Sequence, residues 1–221
     1  MEMDEPELFF CNNADITLML TSEFAITPDY ILAREFNNFY RLFVILQWTF
    51  HFNMNPFVSI IMGSTSDLPV MEKAAAFLND MQIPFEMNAL SAHRTPDAVE
   101  KFAKEAASRG VKVIIAGAGM AAALPGVIAA NTTLPVIGVP IKGMLDGLDA
   151  LLSIVQMPPG IPVATMGVNG AQNAAILAAG MLALSDEGLA ERLAAYKQGL
   201  KAKIEKANSE LAGVSYQFKT N

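Results

Sequence analysis

From Phe57 onward, short apolar runs alternate with stretches of helical period, and this alternation leaves few folds open. Phe57–Met62 (FVSIIM), Pro84–Leu90, Val111–Ala116 (VKVIIA), Leu134–Val139 and Pro162–Met166 read as five strands. Helices are expected at Asp67–Met81, Ala121–Ala130, Asp146–Gln156, Ala171–Leu184 and from Glu187 to about Glu210. Another opens at Thr95-Pro96-Asp97, with a capping hydroxyl, a proline at the first helical position and an acid in the first turn. Gly110 closes it. Strands that alternate with helices at this spacing form a parallel sheet covered on both faces. Right-handed crossovers make it a three-layer, doubly wound α/β fold. Such sheets bind ligands outside the carboxyl ends of their strands, so the loops leaving each strand are the ones to read for chemistry.

The first quarter of the chain does not share this pattern. Residues 1–53 contain no glycine, whereas 54–221 hold all 15. They also carry 8 of the 13 phenylalanines, the single tryptophan Trp48, and 8 acids against 2 bases. The boundary is therefore expected near Met54, with 1–53 an N-terminal appendage and 54–221 the functional domain. The alternative role for 1–53 is a partner-binding or membrane-surface segment. That role needs a cationic face, and Arg34 and Arg41 are the only bases. Residues 54–221 hold 14 acids and 13 bases with no basic patch, which excludes a nucleic-acid partner. Cys11 is the only cysteine, so no internal disulfide or cysteine metal site can form. The acidic opening lacks the charge of a secretory signal, and Leu42–Phe52 is too short to span a bilayer. The expectation is a soluble, cytoplasmic protein that binds no membrane.

Four loops carry candidate chemistry. Gly63-Ser64-Thr65-Ser66-Asp67 places small hydroxyls before a helix, where free backbone N–H groups attract anions. The same residues also read as a solvated helix cap. No lysine follows at P-loop spacing. Ser91-Ala92-His93-Arg94-Thr95-Pro96 sets a hydroxyl, an imidazole and a guanidinium within four residues. Arg94 offers a planar fork suited to phosphate. His93, the only histidine beyond residue 53, can give and take a proton near neutral pH. Gly117-Ala118-Gly119-Met120-Ala121-Ala122 matches the dinucleotide fingerprint superficially. No acid follows the next strand to hold a ribose, so it reads instead as a small-residue wall for a flat ligand. Gly167-Val168-Asn169-Gly170-Ala171 and Met157-Pro158-Pro159-Gly160 read as a cleft edge or a subunit contact. No metal-ligand spacing is present.

Met62-Gly63-Ser64-Thr65-Ser66-Asp67, Ser91-Ala92-His93-Arg94-Thr95-Pro96 and Ser153-Ile154-Val155-Gln156-Met157-Pro158 resemble the 5-(carboxyamino)imidazole ribonucleotide mutases of purine (IMP) biosynthesis, of the class I bacterial type. Gly117-Ala118-Gly119 and Leu124-Pro125-Gly126 fit the same pattern, and the likeness runs from about Phe57 to about Leu184. The resemblance implies a flavodoxin-like fold, a homo-octamer, no cofactor and no metal. It implies an isomerase that moves a carboxylate from the exocyclic nitrogen to the ring carbon of aminoimidazole ribonucleotide. Carried over by motif, Ser64, Ser91 and Arg94 bind the substrate phosphate and Asp67 holds the ribose hydroxyls. His93 is the acid/base, and Gly119 and Leu124 line the base and carboxylate pocket. One position departs: many bacterial members read Ala-His-Leu-Pro-Gly where this chain has Ala122-Ala123-Leu124-Pro125-Gly126. Two alternatives remain, an aminoimidazole ribonucleotide carboxylase using free carbon dioxide and a non-enzymatic phosphoanion-binding module. In the last helix Leu189, Leu193, Leu200 and Ile204 exceed what one small domain is expected to bury, in line with assembly. Since every candidate site residue lies after Met54, a chain beginning there is expected to express as a soluble oligomer with full activity. Aggregation or a large loss of turnover in that shortened protein would place the boundary elsewhere.

Overall fold

A computed structural model describes residues 57–220; the expectations for 1–53 lie outside the described residues. The chain runs β1 (Val58–Met62), α1 (Leu68–Asp80), β2 (Phe85–Ala89), α2 (Pro96–Glu105), β3 (Val113–Ala118), α3 (Ala123–Ala130), β4 (Val136–Pro140), α4 (Leu148–Val155), β5 (Ala164–Thr165), α5 (Ala171–Leu182) and α6 (Glu187–Ala212). One-turn 3-10 helices at Thr65–Asp67 and Ala107–Arg109 precede α1 and follow α2. All strand pairs are parallel, in the order β2-β1-β3-β4-β5. This is the flavodoxin-like doubly wound order, with its switch point between β1 and β3.

The strand alternation sorts the core into two layers. Val58, Ile60, Val113, Ile115, Ile137 and Val139 meet α1, α5 and the start of α6. Ile61, Ile114, Ala116 and Val136 meet α2, α3 and α4 on the opposite face. Close approach of helix to sheet depends on two glycines. A Cβ on Gly138 would lie 2.4 Å from Ile154 Cγ2 and 3.0 Å from Val163 Cγ1. A Cβ on Gly117 would lie 2.5 Å from Met71 Sδ. Gly117 is thus a packing residue inside β3 and not the first glycine of a phosphate turn.

β3 starts two residues later than the apolar run suggests. Val111 N–H donates to Ala106 O at 3.2 Å, closing the turn that Gly110 makes at φ 97, and Lys112 N–H donates to Phe57 O at 2.8 Å. Pairing with β4 then carries the ladder through Gly117 and Ala118, small residues that no propensity argument assigns to a strand. β5 is shorter than expected, a two-residue edge. Thr95 does not cap α2 with its side chain. Its Oγ1 accepts from Ser91 N–H at 3.0 Å and donates to Ser91 O at 3.1 Å, so it braces the preceding loop.

The polar exception in the core is Ser59, fully buried on β1. Its hydroxyl donates to Glu86 on the neighbouring strand β2, and Glu86 also accepts from Arg109 Nη2 at 2.9 Å. The Arg109 guanidinium lies 4.7 Å from the Phe102 ring centroid. On α6, Asp186 caps Leu189 N–H at 2.9 Å. Leu189 is buried and Leu193 and Tyr196 pack beside it, Tyr196 edge-on to Phe77 at 5.1 Å between centroids. Two of the four apolar residues expected to be left over therefore belong to the core of the domain itself. Leu200 and Ile204, 43% and 65% exposed, lie further along the helix and stay outside it.

Gly138→Ala is expected to destabilise folding by about 1–3 kcal/mol, because Ile154 is β-branched, buried and cannot turn aside. Combining it with Ile154→Ala tests the cause. Denaturant midpoints should show the double variant less damaged than the sum of the two singles; simple additivity would mean the two groups do not collide.

Candidate active site

The cavity at the carboxyl ends of β1–β4 measures about 480 Å3. Ser64, Asp67, Ser91, His93, Arg94, Gly119 and Leu124 all line it, so the fold brings together the seven residues to which the resemblance gave a role. It lies at the switch point because the loops after β1 and β3 leave on opposite faces of the sheet.

The loop after β1 is shaped by Ser64, in extended backbone, whose Oγ accepts from Ser66 N–H at 3.3 Å. Asp67 N–H donates to Ser64 O at 3.1 Å and closes the turn. The loop after β2 is shaped by Ser91, whose Oγ accepts from Arg94 N–H at 3.2 Å and from Arg94 Nε at 3.3 Å. Arg94 Nη2 then reaches across to Gly63 O at 2.8 Å. One guanidinium therefore ties the β1 and β2 loops together. No carboxylate among the described residues pairs with Arg94, so its charge faces the cavity uncompensated. His93 sits exposed on the same loop, with its imidazole bordering the cavity.

Partial burial pushes the Asp67 carboxyl above its ordinary pKa, against hydrogen bonds from Ser66 and from the Ser64 and Gly63 backbone that favour the anion. The opposite wall is small and apolar: Gly119, Ala122, Ala123 and Leu124. Met120 and Ala122 both adopt left-handed backbone, at φ 57 and 41. Gly119 lies beside Ile141, where a Cβ would be in ordinary contact with the carbonyl oxygen at 3.4 Å. Strained non-glycine backbone of this kind persists where the surroundings over-determine it, and it collects at binding sites. With alanine at position 123, His93 is the only imidazole among the residues lining this cavity.

Sequence reasoning missed the loop after β4. Ile141, Lys142 and Gly143 line the cavity, and Lys142 adds a second cation to it. The available signal was position: Lys142 comes two residues after a buried strand, at the sheet's carboxyl edge where a charged side chain can project. No group of three His, Cys, Asp or Glu side chains among the described residues could hold a metal ion, and no described helix is long and apolar enough to cross a membrane.

The AIR carboxylase family matches residues 57–203. The chain belongs to that family. It is 58% identical over 147 residues to N5-carboxyaminoimidazole ribonucleotide mutase of Pyrococcus abyssi, covering 66% of this chain and 84% of that one. Identity to the mutase of Bacillus subtilis is 52% over 161 residues, 72% of this chain and 99% of the relative. Phosphoribosylaminoimidazole carboxylase of Candida glabrata is 49% identical over 163 residues, but these are only 29% of that longer protein. Among solved structures, Treponema denticola PurE superposes with a TM-score of 0.64 at 32% identity, covering 71% of this chain and 98% of the other. The family match begins at Phe57, where the strand–helix alternation begins.

The Asp67 carboxyl gives a pH test. Its pKa is raised in the folded protein, so the folded state holds that proton more tightly than the unfolded chain. Its contribution to stability is present at low pH and is lost as pH rises through the folded-state pKa. Asp67→Asn should remove this slope: its melting temperature should exceed that of the unmodified protein at neutral pH, and the gap should close as pH falls through the carboxyl range. A gap independent of pH would show that burial does not penalise the anion.

Proposed function

We propose that this AIR carboxylase family member is an N5-carboxyaminoimidazole ribonucleotide mutase, acting on a ribonucleotide in purine biosynthesis. The observation that carries this reading is the convergence of His93, Arg94, Ser64, Ser91 and Asp67 with a small apolar wall in one cavity. Arg94, Ser64 and Ser91 hold the phosphate through a charged fork and two hydroxyls. Asp67 accepts from the ribose hydroxyls. Gly119 and Leu124 flank the imidazole ring and the migrating carboxylate.

The reaction needs one proton out and one proton back. His93 protonates the carbamate nitrogen, the nitrogen–carbon bond breaks, and carbon dioxide leaves with the amine restored. The electron-rich ring carbon attacks the trapped carbon dioxide and forms the new carbon–carbon bond. That carbon still carries its hydrogen, and His93 takes it to restore the aromatic ring. The wall formed by Gly119, Ala122, Ala123 and Leu124 has no polar side chain, so it offers carbon dioxide an apolar surface beside the ring.

The likeness to Candida glabrata phosphoribosylaminoimidazole carboxylase supports a second reading, direct carboxylation of the unmodified ribonucleotide by free carbon dioxide. Assay of the purified protein on both ribonucleotides separates the two. The exposed Leu200 and Ile204 support assembly into a homo-octamer, and the metabolic role fits the cytoplasm.

His93→Asn keeps size and some hydrogen bonding but removes proton transfer, and should cost about 10²–10⁴-fold in turnover with ribonucleotide binding retained. Near-normal turnover in that variant would overturn the acid/base role.

A further inference from the structure

We infer that Lys142 is the second anion-holding residue of the cavity, binding the carboxylate of the ribonucleotide at the end opposite the phosphate. This rests on the proposed mutase function and names a residue that none of the motifs assigned.

The order of the strands sets the distances. Arg94 and Ser91 leave β2, Ser64 and Asp67 leave β1, the Gly119 wall leaves β3, and Lys142 leaves β4. Neighbouring strands lie about 4.8 Å apart, so the β4 exit is roughly 10 Å from β1 and roughly 14 Å from β2. A ribonucleotide that carries phosphate at one end and a base carboxylate at the other needs a cation near each end. Arg94 serves the first and Lys142 faces the second.

The backbone of Lys142 is held firmly while its side chain is not. Its N–H donates to Asn169 Oδ1 at 2.9 Å. Asn169, left-handed at φ 58, is itself fixed by donating its N–H to Pro140 O at 2.8 Å. Ile141 N–H donates to Ala118 O at 2.9 Å, which prolongs the β3–β4 pairing up to Lys142. Beyond it, Leu145, Asp146 and Gly147 take φ values of 46, 54 and 87, and a Cβ on Gly147 would lie 2.7 Å from Val168 Cγ1. The loop is therefore wedged against residues 167–169. Among the described residues the ammonium group is engaged only with Asp146 Oδ1, at 3.0 Å, and the two side chains are 60% and 86% exposed. Such a surface pair is weak and readily exchanged for a substrate carboxylate in a less hydrated place. Asp146 is then a competing counter-ion that keeps Lys142 over the cavity mouth when no ligand is bound.

The test is calorimetric titration of the full chain with two probes, the 4-carboxylated aminoimidazole ribonucleotide and the uncarboxylated one. Lys142→Met should weaken the carboxylated probe about tenfold and leave the uncarboxylated one within about twofold. Lys142→Arg should restore most of the loss. Asp146→Asn should tighten the carboxylated probe about two- to threefold by releasing the ammonium. Unchanged melting temperatures in all three variants, which the exposure of both side chains leads us to expect, show that the fold is intact. Equal losses for the two probes, or none for either, would overturn the role of Lys142 while leaving the mutase reading untouched. Failure of the unmodified chain to bind either ribonucleotide would overturn both.

Discussion

β1 is paired on both edges and buried on both faces, so neither its edges nor its faces can carry a site. What remains is its carboxyl end. There the chain turns to α1 on one face, while β3 beside it turns to α3 on the other, and the divergence of these two connections opens the crevice. Every polar group in the cavity depends on that split. Arg94 is the tie across it, because its guanidinium bonds to a carbonyl of the β1 loop while its own loop follows β2. One side chain thus both presents a positive charge to the cavity and fixes the geometry of the two loops around it, so the charge is positioned in advance.

Much of this was legible in the sequence because period and position act together. The continuous apolar run of β1 and the helical spacing from Asp67 fix a buried parallel strand and its crossover. Once that is known, Ser64, Ser91, His93 and Arg94 fall at strand exits without further information. The likeness to the mutases supplied roles that spacing could not, such as Asp67 toward a ribose. Lys142 was passed over because Ile141-Lys142-Gly143 matches no motif, and its importance comes only from β4 ending one residue before Ile141. Thr95 was misread for a different reason. The hydroxyl oxygen before the proline can accept from the helix amides or from the preceding loop, and here it accepts from Ser91 N–H instead of capping the helix. On α6, period alone could not say where the helix leaves the domain, so Leu189 and Leu200 looked equivalent.

The loops leaving the carboxyl ends of the later strands are conformationally expensive. Met120, Ala122, Leu145, Asp146 and Asn169 all hold left-handed backbone without being glycine. These positions sit in the loops after β3, β4 and β5, whereas the phosphate-side loops after β1 and β2 contain none. The side formed by the loops after β1 and β2 is built from ordinary turns braced by serine and threonine hydroxyls. The side formed by the loops after β3, β4 and β5 is held in shape by the sheet and helices beneath it. Rigidity is therefore concentrated where a small misplacement would matter to bond making.

The Ser59–Glu86–Arg109 cluster acts on a different problem, which is alignment. β2 is an edge strand whose residues are only half-buried, so apolar burial pins it weakly. Sliding it by one residue along β1 would part Ser59 from Glu86 and leave a hydroxyl in a dry layer facing a side chain that cannot accept from it. Arg109, fixed over Phe102, would lose its carboxylate in the same movement. A polar pair in this setting stabilises one alignment less than it penalises the others. His93 lies four residues after β2 ends, so the placement of its loop depends on an alignment held by a serine buried near the start of the neighbouring strand.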